Sequence, residues 1–193
     1  MDYKIILAII AICIGLSSYI PYFRSMIAGK TKPHAFSWLI WSVTAAIMFA
    51  AQITSGAGPG AWISAAYTIS CLIVFIFALR KGEKNIVFLD WLSLLGAGIS
   101  LFFWYLTNSP LLTVIIITLI DCIGYIPTIR KSYHAPYEEN TDLYFWSGMS
   151  YLIALFAMRT YSIITLLNPV VLVIANLLFV TMLLWRRKAN VKH

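Results

Sequence analysis

The chain has 193 residues, of which 61% are hydrophobic and only 11% are charged. A soluble domain carries about 25% charged residues, so this composition cannot supply a water-exposed surface and excludes a soluble domain. The formal net charge is +7. Because the basic residues stand in short loops between apolar runs, membrane topology accounts for them better than a nucleic-acid partner does. The sequence predicts an all-α integral membrane protein embedded in the lipid bilayer.

Seven apolar runs are long enough to cross a bilayer, which takes about 20 residues of α-helix. They cover 5–24, 36–54, 60–79, 86–106, 110–129, 143–166 and 169–185. The breaks between them are rich in glycine, proline, asparagine and lysine, which interrupt helices. We expect Asn168-Pro169 to open the last helix. The short loops make consecutive helices antiparallel neighbours.

Lysine and arginine are distributed unevenly between the two sides that this topology defines. The first, third and fifth loops and the C-terminus hold nearly all of them: Arg24, Lys30, Lys32, Arg80, Lys81, Lys84, Arg130, Lys131, Arg186, Arg187, Lys188 and Lys192. Lys4 stands on the other side, and Arg159 is predicted to lie inside the sixth span. By the positive-inside rule, we expect an outer N-terminus and a cytosolic C-terminus, in a bacterial inner membrane.

Two parts of the chain repeat each other. The segment Tyr19-Ile20-Pro21-Tyr22-Phe23-Arg24 matches Tyr125-Ile126-Pro127-Thr128-Ile129-Arg130, and Pro127 follows Pro21 by 106 residues. At the same offset, Arg80-Lys81 after the third run corresponds to Arg186-Arg187 after the seventh. The first three and the last three runs therefore look like two copies of one three-helix unit.

This repeat predicts three parts of the chain. Residues 1–84 form the first three-helix repeat, residues 85–108 a linker transmembrane helix, and residues 109–193 the second repeat with a short basic tail. The linker gives both repeats the same orientation. Parallel repeats related by an axis along the membrane normal are a transporter architecture, with the binding site between the halves.

A seven-helix 3+1+3 arrangement with a proline near the inner end of each repeat's first helix resembles the PQ-loop family and the related SWEET sugar transporters. The residues that carry the resemblance are 19–24 with Lys30-Thr31-Lys32 after them, and Asp121 through Ser132. The family's Pro-Gln dipeptide is replaced here by Pro21-Tyr22 and Pro127-Thr128, which leaves the subfamily and its substrate open.

The resemblance implies alternating access, in which Pro21 and Pro127 act as hinges. Proline removes a backbone hydrogen bond and clashes with the preceding turn, so it leaves a soft point in a helix. The alternative is that both prolines merely kink or end a helix near the membrane surface.

Asp121 puts a carboxylate in the middle of the fifth run. An ionised side chain at bilayer depth costs about 2.5–3.5 kcal/mol. On a helix, Asp121 shares one polar stripe with Thr118, Tyr125 and Thr128, which predicts a protonatable carboxylate along a solute path. The PQ-loop lysosomal amino-acid exporters, which this chain resembles, carry a coupling aspartate ahead of the proline in this helix. The alternative is a structural ion pair between Asp121 and Arg159.

The predicted substrate site draws on several spans. In SWEET-like proteins the outer part of the sixth helix contributes an aromatic residue and the next helix an asparagine, which Asn176 matches. Arg159 stands near the position of that aromatic residue, so the pocket is predicted to bind a carboxylate or another anion. Snorkelling of Arg159 to the outer headgroups is the alternative. The remaining candidates for substrate contact, for which helix packing is the alternative, are Gln52, Ser70, Trp41 and Tyr125.

Two further groups of residues have simpler interpretations. Tryptophans near the span ends are predicted to anchor the helices at the membrane interface; they are Trp38, Trp62, Trp104, Trp146 and Trp185. Glu138-Glu139 and Asp142 are predicted to form a solvated acidic loop.

The sequence contains no nucleophile–base pattern, phosphate-binding loop or metal-ligand spacing, so we expect neither an enzyme nor a cofactor or metal. It favours a transporter of a small polar solute, an amino acid or organic anion, proton-coupled through Asp121. A SWEET-like sugar facilitator is the alternative within that class, and nicotinamide riboside transporters share the layout. The KDEL receptor, which binds a peptide carboxylate without transport, represents another class. A homo-oligomer remains open.

Overall fold

The computed structural model describes residues 2–106 and 109–190. Lys192 and the side chain of Trp104, both used above, lie outside the described residues. The described chain forms seven α-helices and no strand: α1 (Tyr3–Ile27), α2 (Ala35–Thr54), α3 (Trp62–Lys81), α4 (Phe88–Leu106), α5 (Pro110–His134), α6 (Thr141–Ala157) and α7 (Ile163–Asn190). The all-α prediction is confirmed for this part of the chain.

The helices have the length and the outer surface of a membrane protein. Five segments of the described chain are long and apolar enough to cross a bilayer: Tyr3–Ile27, Ala35–Thr54, Gly58–Lys81, Pro110–His134 and Ile163–Ala189. Large apolar side chains such as Ile69, Leu178 and Trp185 remain exposed on the outside, where lipid suits them better than water. The protein is therefore a helical, multi-pass membrane protein.

The sixth and seventh helices differ from the predicted spans. The α6 helix has 17 residues and ends at Ala157, so it is about 26 Å long. Met158 is extended, and the Arg159 N–H donates to the carbonyl of Ala57 over 2.9 Å. The predicted span 143–166 is wrong in its second half, because the chain turns back and bonds to another loop there.

The start of the last helix was also predicted wrongly. The α7 helix begins at Ile163 and contains Pro169 in its interior. A membrane helix tolerates an internal proline because neighbouring groups satisfy the freed backbone carbonyl. Asn168 consequently lies inside α7 and is buried, whereas the sequence placed it at a helix start.

Polar side chains begin three of the helices. Asp2 accepts from the Lys4 N–H at the start of α1, Ser109 accepts from Leu112 in front of α5, and Asn140 accepts from Leu143 in front of α6. Such caps satisfy backbone donors that have no partner within the helix. Pro110 occupies the first position of α5, where its missing N–H costs nothing.

The helices pack as a bundle around an aromatic core. The α1 helix contacts α3 and α6, α2 contacts α3 and α5, and α7 contacts α5 and α6, while α4 lies against α5 and α2. The largest group of buried residues at the centre is rich in aromatic side chains; it includes Tyr19, Trp38, Tyr67, Tyr125, Tyr144 and Tyr151. Trp38 is 2% exposed, so its predicted role as an interfacial anchor is wrong.

We define the basic end of the bundle as the end where α1, α3, α5 and α7 finish and α2, α4 and α6 begin. Lys131 lies buried there and donates to the carbonyl of Lys32 and to Glu139, each over 2.7 Å. Arg130 holds Asp90 with two hydrogen bonds of 2.8 and 2.9 Å. Glu139 is 2% exposed, so the prediction of a solvated acidic loop is wrong for this residue.

Candidate functional site

A cavity lies at the centre of the bundle, between α1–α3 and α5–α7. Its empty space is ≈ 570 Å³, a value that includes open solvent at its mouth. Seven aromatic rings line it: Tyr19, Trp38, Trp41, Tyr67, Tyr125, Tyr144 and Tyr151. Its polar lining residues are Ser64, Asp121, Ser147, Asn168 and Asn176. A cavity of this composition suits a solute with both apolar and polar surface.

Asp121 is the one carboxylate among the described residues that line the cavity, and it is 4% exposed. Thr44 of α2 contacts Oδ1, and the Asn168 amide of α7 donates to Oδ2 over 2.6 Å. The lining of the described chain includes no lysine, arginine or histidine. The partners of Asp121 in the cavity wall are therefore neutral.

The short contact between Thr44 and Asp121 can exist in two protonation states. Thr44 has one hydroxyl proton, and its Oγ1 lies 3.0 Å from the Ile40 carbonyl as well as beside Asp121. When Asp121 is ionised, Thr44 donates to it. When Asp121 carries a proton, Asp121 donates to Thr44 and Thr44 donates to Ile40. The site can therefore take up or release a proton without losing this contact.

A close approach of α2 to α5 holds this part of the site together. The Trp41 indole N–H donates to the backbone carbonyl of Asp121 over 3.2 Å. A Cβ atom on Gly124 would lie 2.7 Å from Trp41 Nε1 and 3.0 Å from an Ile40 methyl carbon. The absence of a side chain at Gly124 therefore lets the indole lie against α5.

Aromatic rings line the same cavity as the Asp121 carboxylate. The ring centroids of Trp41 and Tyr125 are 4.8 Å apart, and Tyr67 stacks on Tyr151 at 4.9 Å. The Tyr67 hydroxyl lies 2.7 Å from the Ser150 hydroxyl, which orients the stacked pair. These rings form a rigid aromatic wall with little rotamer freedom to lose on binding.

One buried polar atom of the lining, the hydroxyl of Tyr144, has no hydrogen-bond partner in the described chain. A buried donor without a partner costs about 1–3 kcal/mol. This hydroxyl is therefore available to a polar atom of a bound solute or to water.

The structure brings together four of the residues predicted for the site. Trp41, Tyr125, Asn176 and Asp121 all line the cavity. Asn176 donates to the carbonyl of Leu172 over 2.8 Å, so its side-chain oxygen remains available.

Gln52, Ser70 and Arg159, the other predicted contacts, lie outside the cavity lining of the described chain. Gln52 is buried at a helix junction, where it accepts from Ser64 over 2.9 Å and donates to the Thr165 carbonyl over 3.4 Å. Ser70 donates to the Ala66 carbonyl of its own helix over 2.9 Å. The contacts of Gln52 therefore hold helices together, whereas Ser70 bonds only within α3.

Arg159 does not pair with Asp121, so the alternative of a structural ion pair between them is wrong. Arg159 lies in the loop after α6, and its guanidinium donates to Asp2 over 2.8 Å. Its side chain is 55% exposed. The hydrogen bond from the Lys4 N–H, followed by the one from Arg159, lowers the pKa of the Asp2 carboxyl. The reason for the error is the early end of α6, which takes Arg159 out of the span.

Both proposed hinge prolines lie inside continuous helices. Pro21 lies in α1, which continues to Ile27, and Pro127 lies in α5, which continues to His134. The alternative that they end their helices is therefore wrong. Their action as hinges stays a prediction.

Four lining residues were not among the predicted site residues: Tyr67, Tyr144, Tyr151 and Asn168. A signal for Asn168 was present: Asn168, Leu172 and Asn176 follow one another at four-residue intervals, and all three line the cavity. The proline after Asn168 concealed this pattern, because it was read as a helix start.

Comparison with protein-family models, with curated proteins and with solved structures gave no match for this chain. The site itself is therefore the basis for inferring its function.

Proposed function

We propose that this protein transports a small polar solute across a membrane by alternating access. The observation that carries the proposal is the central cavity, in which a buried carboxylate with neutral partners stands among aromatic rings. A charge at such depth is expensive, and in membrane proteins it usually marks a solute or ion path. The moving parts are the predicted three-helix units, residues 1–84 and 109–193, with residues 85–108 as the linker.

The pattern of helix contacts supports two equivalent units. The α1 helix contacts α3 within the first unit and α6 across the cavity. The α5 helix likewise contacts α7 within the second unit and α2 across the cavity. The pairs α2–α3 and α6–α7 correspond in the same way. Exchanging α1–α3 with α5–α7 reproduces these contacts, as expected for parallel repeats in transporters.

Contacts between the units are present at both ends of the bundle. At the basic end, Lys131 donates to the Lys32 carbonyl and Lys32 pairs with Glu138. At the opposite end, Lys4 donates to the Met158 carbonyl over 2.6 Å. In alternating access, the contacts at one end of the bundle would break while those at the other end persist. Pro21 and Pro127 are the soft points at which α1 and α5 would bend.

Asp121 is the group we propose for proton coupling. Its contact with Thr44 is compatible with both protonation states, and Asn168 donates to it in either one. A solute that binds only one state would link its own movement to that of a proton. The basic end is proposed to face the cytosol, as the positive-inside rule predicts, in a bacterial inner membrane.

The proposal is tested with purified full-length protein in liposomes that carry an imposed pH gradient. We expect uptake or exchange of solute from a panel of amino acids, organic cations, sugars and nucleosides. Asp121→Asn should abolish the dependence of solute flux on the gradient, because asparagine keeps the hydrogen bonds and cannot titrate. The matched control is Asp142→Asn, which changes an exposed carboxylate in the first turn of α6. Binding without flux for every solute would make the protein a receptor.

A neutral-sugar facilitator is the second candidate. The exposed position of Arg159 favours it over an organic-anion carrier, and the amides of Asn168 and Asn176 in the lining suit hydroxyl groups. A function like that of the KDEL receptor would need a buried arginine, whereas Arg159 is exposed. Sugar exchange that is insensitive to pH and to Asp121→Asn would establish the facilitator.

A further inference from the structure

We propose that the solute is an organic cation with an aromatic or quaternary ammonium group, and that it competes with a proton for Asp121. This inference rests on the transporter function proposed above and specifies its substrate class. It predicts exchange of one cation for one proton, in which the proton leaves Asp121 for water as the cation enters.

The charge of the cavity is the first argument. The protein carries 14 lysine and arginine residues against 7 acidic ones. The described cavity lining nevertheless contains no lysine, arginine or histidine, and Asp121 is its one carboxylate. Thr44 and Asn168 stabilise this carboxylate without neutralising it. A buried charge needs a partner of opposite sign. A proton or a cationic solute can supply it, whereas an anion would add to the unfavourable charge.

The aromatic lining is the second argument. The faces of tyrosine and tryptophan rings attract cations within about 6 Å of the ring centre, and quaternary ammonium groups are recognised in this way. Trp41 and Tyr125 form a close pair beside Asp121, with Trp41 bonded to the Asp121 backbone. Tyr67 and Tyr151 add a stacked pair to the same cavity. A carboxylate among such rings binds an organic cation better than a strongly hydrated metal ion.

Asp121 is the one group of the described cavity lining whose side-chain type ordinarily titrates below pH 8. The titratable groups that line it from the surrounding helices are Tyr19 of α1, Tyr67 and Cys71 of α3, Tyr125 of α5, and Tyr144 and Tyr151 of α6. Tyrosine and cysteine ordinarily titrate above pH 8, so they remain neutral.

The remaining helices bring no competing charge to Asp121. The α2 and α7 helices contribute Thr44 and Asn168, which do not titrate. His34 before α2, and Asp90 of α4, lie at the basic end, where Arg130 holds Asp90. Protonation of Asp121 alone should therefore control the binding of a cation.

The experiment compares three benzyl compounds of different charge on the purified full-length protein in detergent. The probes are benzyltrimethylammonium, neutral benzyl alcohol and anionic phenylacetate, and binding is followed by the thermal stability of the protein. We expect the cation to stabilise the protein more than the other two. Its apparent Kd should rise about tenfold for each unit by which the pH is lowered into the range where Asp121 is protonated, because one proton excludes one cation. Equal binding of the neutral compound, preference for the anion, or pH-independent cation binding would overturn the proposal.

Two sets of variants separate the charge from the rings. Asp121→Asn resembles the protonated carboxyl and should lose both the cation preference and the pH dependence while remaining folded. Tyr125→Phe keeps the ring and should bind the cation within about threefold of the native protein, whereas Tyr125→Leu should bind it at least about tenfold more weakly. Retained cation affinity in Asp121→Asn contradicts the proposal. If that variant fails to fold, the pH dependence of the native protein decides the question by itself.

Flux measurements distinguish this inference from the transporter proposal. Cation binding that competes with protons but produces no flux in liposomes would support the cation site at Asp121 and refute transport, together with the exchange that depends on it. Flux of a neutral solute together with no cation binding would support transport and refute the inference.

Discussion

Lys131 and Glu139 form an ion pair in the interior of the protein, with Nζ and Oε2 2.7 Å apart and side chains 2% and 0% exposed. Lys131 also donates to the backbone carbonyls of Lys32 and Glu138. Its three donors are therefore used, and the bond to Lys32 joins the first three-helix unit to the second at the basic end.

Breaking this pair should destabilise the protein strongly. Lys131→Met leaves Glu139 buried without a cation, which costs about 3–5 kcal/mol. The double variant Lys131→Met/Glu139→Gln should recover part of that loss, because neither residue is then charged. Unfolding of the purified protein in mixed micelles measures the difference, with Lys30→Ala as the exposed control. A double variant no more stable than the single one would contradict this account.

Arg159→Ala should leave solute affinity unchanged within about twofold, because an exposed ion pair contributes little and Arg159 lies outside the cavity lining. The measurement is a binding isotherm for a solute identified in the liposome assay. Tyr125→Leu serves as the comparison that should weaken binding. A loss of more than about tenfold in Arg159→Ala would return this residue to the site, since that corresponds to 1.4 kcal/mol of contact.

Gly124→Ala should lower both stability and binding. The added Cβ would come within 2.7 Å of Trp41 Nε1, so α2 and α5 must separate, and overpacking of this kind costs about 1–3 kcal/mol. Thermal denaturation in detergent provides the measurement. Gly98→Ala is the matched control, since a Cβ there meets no atom within 4 Å and alanine favours the helix. Equal stability of Gly124→Ala and Gly98→Ala would show that α2 and α5 can separate at little cost in free energy.

His34 should make the protein less stable as the pH falls. Its ring is completely buried, with Nε2 3.2 Å from Asp90 Oδ2, and burial lowers its pKa despite the nearby Asp90 carboxylate. The unfolded state then binds a proton at His34 more readily than the folded state does. The stability associated with neutral His34 is therefore complete above the ordinary histidine pKa of 6.5 and is lost progressively below it.

The comparison that isolates His34 uses melting temperatures at pH 7.5 and 5.5. His34→Gln should show a smaller decrease between these two pH values than the native protein shows. His134→Gln, which changes an exposed histidine at the end of α5, should behave like the native protein. An undiminished decrease in His34→Gln would assign the acid sensitivity to other groups.

The orientation predicted from the charges can be measured by cysteine labelling. Cysteines at Ser55 and Lys84 should react with a membrane-impermeant maleimide from opposite sides, with Ser55 accessible from outside. Reaction of both from the same side would refute the proposed topology. Cys13 and Cys122 are exposed on the helices and are replaced beforehand to prevent background labelling.

The sequence by itself determined the class of protein and most of its helices. A high apolar content and runs of about 20 residues leave no other stable arrangement in a bilayer, because backbone groups in lipid must bond within helices. The same reasoning identified Asp121, since a carboxylate in an apolar run is costly wherever the helix lies. Trp41, Tyr125 and Asn176 were also predicted, from their helical spacing or from the resemblance.

The tertiary structure alone decided which partners these residues have. Hydropathy is an average over many residues, so it could not show that α6 ends at Ala157 or that α7 begins before Pro169. Those two boundaries place Arg159 beside Asp2 and bring Asn168 to Asp121. The contacts join residues 157 and 47 positions apart, and separations of that size depend on which helices are neighbours, which no local pattern encodes.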